Sequence, residues 1–241
     1  MKIKSAKKLG KKLGAKFHYK WSTHQPVTNA MLEVVKPELV VEIGTGRYSS
    51  PGLITSNALK TIHIDNEPGW IDLVKKENAE IITDKNEFRI HDIIPLGIAS
   101  LKVLPSELNP MQKESIDNYH TELAAEIKAM NYKSTMIFTD GFASCRKSSV
   151  DLLTSGVDSM IFHDAEKPAA YGYDNLNKDL YNTHDEYLLK TAMSYTGFFV
   201  RKGIITFEDL KVVMDKHVNV YVESLGISKD GIELIQMPVK Q

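Results

Sequence analysis

The sequence predicts a doubly wound α/β domain: a mostly parallel sheet with helices on both faces and an antiparallel hairpin near its C-terminal end. Apolar runs of strand length alternate with stretches of helical periodicity from Val27 to about residue 165, the pattern left by strand, helix, strand crossovers. Residues 38–44 (ELVVEIG) form an apolar run stopped by glycine, as expected of a strand covered on both faces. Near the end, ISKDGIEL places a Lys-Asp-Gly turn between two strand-like runs.

Each element follows in turn. Val27, Met31, Val34 and Val35 recur at helical spacing and predict a helix that ends before Pro37. After the strand at 38–44, Ser50 and Pro51 read as N-cap and first helical residue of a helix reaching about Ala58. TIHID (61–65) is the next strand, followed by a helix around 70–78 and a short strand at 88–90. Residues 115–130 predict a helix, TMIFTDG a strand ending at Asp140, 148–153 a helix, and SMIFHD (159–164) a further strand. Residues 175–194 read as a long helix, and FFVRK, VNVYVE and IELIQM as C-terminal strands, the last two joined as the hairpin.

Hydrophobic residues make up 42% and charged residues 25% of the 241, which excludes a disordered or fibrous chain. No apolar stretch approaches a membrane span and the basic start leads into no signal-like apolar run, so a cytoplasmic protein is expected. The single cysteine, Cys145, provides no internal disulfide and reads as a structural thiol. The net charge of -1 is unevenly spread: residues 1–20 carry eight lysines and no acid, leaving 22 basic and 31 acidic side chains elsewhere. Residues 1–26 therefore read as a basic extension and 27–241 as a single domain. Such an extension suits RNA or an anionic surface, or simply lies solvated on the acidic body.

Ligands of open α/β sheets bind outside the carboxyl ends of the strands, so the polar residues that end each apolar run are the candidates. Gly44-Thr45-Gly46 is a turn whose glycines admit a close ligand, with Glu42 beneath it. Asp65 ends the second strand about 20 residues on, where a carboxylate can bind both ribose hydroxyls. A nicotinamide fingerprint would need a glycine where Ser49 stands.

E-I-G-T-G after an apolar strand, followed by Asp65, resembles the first two motifs of class I, Rossmann-like, S-adenosylmethionine-dependent methyltransferases. The resemblance covers roughly residues 39–166. It implies S-adenosylmethionine held by Glu42, Gly44, Thr45, Gly46 and Asp65, with Asp92 after the third strand near the adenine. A surface acid or helix cap is the other reading of Asp92.

Asp140-Gly141 and His163-Asp164 end the next two apolar runs and should face the same cleft. With Arg146 close by, they resemble small-molecule and sugar O-methyltransferases, some of which hold a divalent metal. That implies Asp140 beside the cofactor and Asp140 with Asp164 as ligands of an ion such as Mg²⁺, near His163 or Glu166. Without a metal, His163 or Asp164 is the general base. Ser144 stands where the metal-dependent catechol-type enzymes have a lysine, for which Lys147 is the nearby substitute. Tyr171 and Tyr173 are candidates for the acceptor pocket; His24-Gln25 is less specific.

The expected activity is methyl transfer to an oxygen of a small molecule or sugar. The rivals are an RNA methyltransferase using the lysine-rich start, a non-catalytic cofactor-binding module and a nicotinamide-dependent oxidoreductase. The acceptor and the oligomeric state are not legible.

Overall fold

The alternating apolar runs assemble into one eight-stranded sheet, in a computed structural model that describes residues 22–93, 96–98 and 103–238. In chain order the elements are α1 (Gln25–Val35), β1 (Leu39–Ile43), α2 (Ser50–Ile54), β2 (Lys60–Asp65), α3 (Pro68–Glu77), β3 (Asn86–Ile90), α4 (Pro110–Ala129), β4 (Thr135–Thr139), α5 (Ala143–Leu153), β5 (Ser159–Phe162), α6 (Pro168–Tyr171), α7 (Leu180–Thr183), β6 (His184–Lys190), β7 (Tyr195–Arg201), α8 (Phe207–Leu225) and β8 (Glu233–Gln236). The lysines of residues 1–20 lie outside the described residues.

The strand order is β3-β2-β1-β4-β5-β7-β6-β8. β1 to β5 pair in parallel, and β7, β6 and β8 add antiparallel strands at one side. The chain order reverses at β1, between β2 and β4, which places the carboxyl ends of β1 and β4 side by side. β1 and β4 are buried along their whole length, as a sheet covered on both faces requires. On one face α1 and α8 pack through Met31, Leu210, Met214 and Val218 against Val40, Phe138 and Tyr187. On the other, α4 and α5 pack through Leu123, Ile127, Val150 and Leu153 against Val41, Ile62, Ile137 and Met160. Gly197 stands opposite Phe162 where β7 pairs with β5, and a Cβ there would lie 2.2 Å from the Phe162 ring.

The C-terminal third differs from the sequence expectation. Residues 175–194 are not one helix but a 3₁₀ turn (Tyr173–Asn175), the short α7 and the strand β6. Leucines, lysine and acids give that stretch helical propensity, yet β6 is a seven-residue strand inserted between β7 and β8, and this ladder overrides local preference. VNVYVE is not a strand; it is the last part of α8. Its alternation hides a helical face, with Val218, Tyr221 and Val222 buried and Val220 exposed. Thr206 caps the helix by accepting from Asp209 N at 3.2 Å. The antiparallel hairpin exists, but β6 and β7 form it, and β8 then pairs with β6. α2 is also shorter than expected, ending at Ile54, and Ser50 is its first residue rather than its cap.

Residues 22–26 belong to the packed body, since Ser22, Thr23 and His24 are all buried. Among the described residues no helix is long and apolar enough to cross a membrane.

Candidate functional site

The turn after β1 is braced from below by side chains. Gly46 N donates to Ser50 Oγ at 2.9 Å and Ser50 Oγ donates to Glu42 Oε2 at 2.8 Å, so Glu42 holds the turn through a serine relay. His63 Nδ1 lies 2.6 Å from the same Glu42 oxygen, while Glu42 Oε1 is buried without a hydrogen-bond partner. Asp65 holds the turn from β2: its Oδ2 accepts from Thr45 N at 2.7 Å and Thr45 Oγ1 at 3.0 Å, and its Oδ1 accepts from Glu67 N at 2.9 Å. Burial raises the Asp65 pKa, against the pull of those three donors. Trp70 closes over the turn and donates its indole N–H to Thr45 O.

The two glycines of the turn do different work. Gly44 has φ +89°, and a Cβ there would sit 2.2 Å from Gly141 N, so glycine lets the turn after β1 press against the turn after β4. At Gly46 a Cβ would meet only Ser49 Oγ, at 3.2 Å, and the backbone stays open.

Across the Gly44–Gly141 contact lies a partly buried ionic cluster. Arg146, on α5, donates from Nη2 to Asp140 Oδ1 at 2.7 Å, from Nη1 to Asp164 Oδ2 at 2.8 Å, and from Nε to Gly141 O at 2.9 Å. Tyr171 lies on the guanidinium, 4.4 Å from its central carbon to the ring centroid. His163 Nδ1 is 3.3 Å from Asp140 Oδ2 and 3.6 Å from Asp164 Oδ1, and its Nε2 bonds Thr23 Oγ1 at 2.9 Å. Burial alone would raise the Asp140 pKa, but His163 and Arg146 hold it at about 2. Burial opposes charge on His163 as well, yet the Asp140 and Asp164 carboxylates move its pKa upward. Asp164 adopts φ +57°, a left-handed conformation that aspartate tolerates better than most residues. Ser194 Oγ donates to Asp164 Oδ1 at 3.2 Å and to Glu166 Oε2 at 3.1 Å.

His24, the residue just before α1, closes the cluster. It is 2% exposed, packs on Phe138, and meets the His163 ring edge-on with centroids 5.2 Å apart. Neither ring nitrogen makes a well-formed hydrogen bond; the polar group facing it is the Tyr48 backbone. Burial, then the neighbouring His163, lowers its pKa to about 3.

The residues picked out in the sequence therefore fall into two adjoining groups: Glu42, Gly44, Thr45, Gly46 and Asp65 around one turn, and Asp140, His163 and Asp164 around Arg146. Asp92 is exposed at the end of β3. It lines a cavity of about 470 Å³ with His91, Leu96, Met111, Tyr119 and Glu122, beyond β3 rather than over the glycine turn. The Asp140–Asp164 pair does not fit a hard cation such as Mg²⁺ held between them, because the Arg146 guanidinium bridges the two carboxylates. Lys147 points elsewhere, to Asp151 and to Asn175 O at 2.7 Å. Tyr173 is a core residue, whereas Tyr171 is half-buried at the cluster. Cys145 is buried, and burial pushes its thiol up to about 12.

Sequence reasoning missed Thr23 and Ser194 and gave His24 no role. All three reach the cluster only through tertiary packing, 140, 31 and 139 positions from His163. Their one local signal is a polar side chain in a stretch that the fold buries.

No protein-family model matches the sequence, and no curated protein matches it. Among solved structures it is similar to the O-methyltransferase TomG of Streptomyces achromogenes, involved in tomaymycin synthesis, in complex with SAM (13% identity, 75% of this chain and 80% of that one, TM-score 0.48). It is similar to an O-methyltransferase of Bacillus cereus in complex with SAH (12% identity, 83% and 90%, TM-score 0.49). It is also similar to spermidine synthase of Thermotoga maritima (12% identity, 86% and 75%, TM-score 0.46). Solved rRNA methyltransferases are among the similar structures as well.

Proposed function

We propose that the chain binds S-adenosylmethionine at the carboxyl ends of β1 to β3 and transfers its methyl group to an oxygen of a small hydroxylated molecule or sugar. One observation carries this reading: Asp65 ends β2 and Asp140 follows β4, on either side of β1, with Glu42 beneath the open glycine turn between them. Three carboxylates there suit a cofactor with a sulfonium and an ammonium group, and disfavour the pyrophosphate of a dinucleotide.

The residues present fit that cofactor. Asp65 Oδ1 accepts a single hydrogen bond and keeps capacity for a ribose hydroxyl. Gly46 leaves the turn uncovered, and Glu42 Oε1, buried without a hydrogen-bond partner, lies beneath it. When bound, S-adenosylmethionine supplies an electrophilic methyl group.

The chain's own residues then orient the acceptor and take its proton. Asp140 and Asp164, with side chains 28% and 26% exposed, are the members of the cluster that an acceptor hydroxyl can reach. His163 lies behind both carboxylates and its raised pKa suits it to hold the released proton on Nδ1. Arg146 fixes the carboxylates through a planar fork, so positioning rather than covalent chemistry supplies the acceleration.

The test is calorimetry with S-adenosylmethionine on the wild type and on Gly46→Val. The valine fills the uncovered face of the turn, and affinity should fall by roughly tenfold or more, the scale of one lost contact near 1.4 kcal/mol, with unfolding little changed. Equal affinity in the two proteins would remove the turn from the binding site.

A further inference from the structure

We propose that His24, Asp140 and His163 form a binding site for one divalent transition-metal ion of borderline softness, such as Zn²⁺ or Co²⁺. One donor atom from each residue lies within 4.8 Å of the others. A tetrahedral ion with bonds of about 2.1 Å spaces its ligand atoms by roughly 3.4 Å, so side-chain adjustments of about an ångström close the set. Two imidazoles and one carboxylate oxygen select ions of this class over Mg²⁺ or Ca²⁺, which take oxygen ligands.

Three further features point to an ion. His24 is a buried imidazole whose nitrogens lack well-formed hydrogen bonds, an unusual state for a polar side chain at 2% exposure. The placement of His163 is the second feature. Thr23 Oγ1 takes Nε2 at 2.9 Å, which leaves Nδ1 directed at Asp140 Oδ2, 3.3 Å away. Outer-sphere hydrogen bonds of this kind commonly fix metal-binding histidines, and Arg146 fixes Asp140 in the same way through Oδ1, leaving Oδ2 to ligate.

Charge is the third feature. Asp140 and Asp164 share a single guanidinium and Glu166 joins Asp164 through Ser194 Oγ, so with neutral histidines the group carries a formal charge of −2, which a divalent ion offsets. The ion would occupy the place that a proton on His163 Nδ1 holds otherwise. The site does not depend on methyl-donor binding.

The experiment uses the full chain after chelation and removal of the chelator, titrated with Co²⁺ by visible absorption and with Zn²⁺ by calorimetry. One ion per chain is expected. His24→Phe, which keeps the aromatic packing on Phe138, should weaken it by roughly 100-fold or more. Thr23→Val should weaken it by roughly 10- to 100-fold, the range of an outer-sphere partner. Should His24→Phe fail to fold, Zn²⁺-induced changes in the histidine ring nitrogen resonances of the wild type decide: shifts of His24 and His163 support the site, and an unchanged His24 overturns it. Absence of binding, binding unchanged in a folded His24→Phe, or equal affinity for Mg²⁺ would also overturn it. Calorimetry with S-adenosylmethionine on the chelated protein reads the methyltransferase proposal separately.

Discussion

Arg146 shows how a single side chain can organise a site. It is 8% exposed and uses all three nitrogen positions of its guanidinium, on Gly141 O, Asp140 and Asp164. Removing it would leave two carboxylates close together with only His163 between them. Arg146→Met should cost about 3–5 kcal/mol, the range for breaking a buried ion pair from one side, and Arg146→Lys should recover little because an ammonium lacks the fork. Urea denaturation checks this, and a cost under about 1 kcal/mol for Arg146→Met would show that the bridge does not organise the cluster. The residue pairs D-G and H-D were legible in sequence because they end apolar runs. The bridge was not, since nothing local says that a residue six positions after Asp140 folds back onto it.

Among elements, the α4–α5 pair carries the clearest pH signature. His120 on α4 is fully buried, with Nδ1 at 2.8 Å from Ile116 O and Nε2 at 2.8 Å from Ser149 Oγ of α5. Burial lowers its pKa from 6.5 to about 4. The folded value lies below the unfolded one, so the stabilisation is complete above pH 6.5 and is lost as pH falls toward 4. The slope reaches at most about 1.4 kcal/mol per pH unit. Denaturation series between about pH 7 and about pH 4.5 should therefore be flatter for His120→Gln than for the wild type, and parallel series would contradict this. The same scale explains what the sequence left unread. The parallel strands were legible because both faces are apolar and glycine or aspartate ends them. β6 and α8 were exchanged because a leucine- and lysine-containing strand looks helical, and because V-N-V-Y-V-E fits a period of two as readily as the helical spacing of Val218, Tyr221 and Val222.

For the whole molecule, the topology does the main positioning work. Reversal of strand order at β1 places the glycine turn beside the turn after β4, and Gly44 against Gly141 joins the two groups of candidate residues. The grouping of Glu42, Gly44, Gly46 and Asp65 around one turn, the proposed cofactor side, was legible because their spacing is local to one strand, turn and strand unit. The neighbouring cluster was half legible, because Thr23, His24 and Ser194 enter from distant segments. The central claim is that the acidic strand ends select a cationic methyl donor over an anionic dinucleotide. Calorimetry of the wild-type chain with S-adenosylmethionine, NAD⁺ and NADP⁺ in parallel tests it most directly. Saturable binding of S-adenosylmethionine alone is the predicted result; binding of a dinucleotide, or of none of the three, would contradict it.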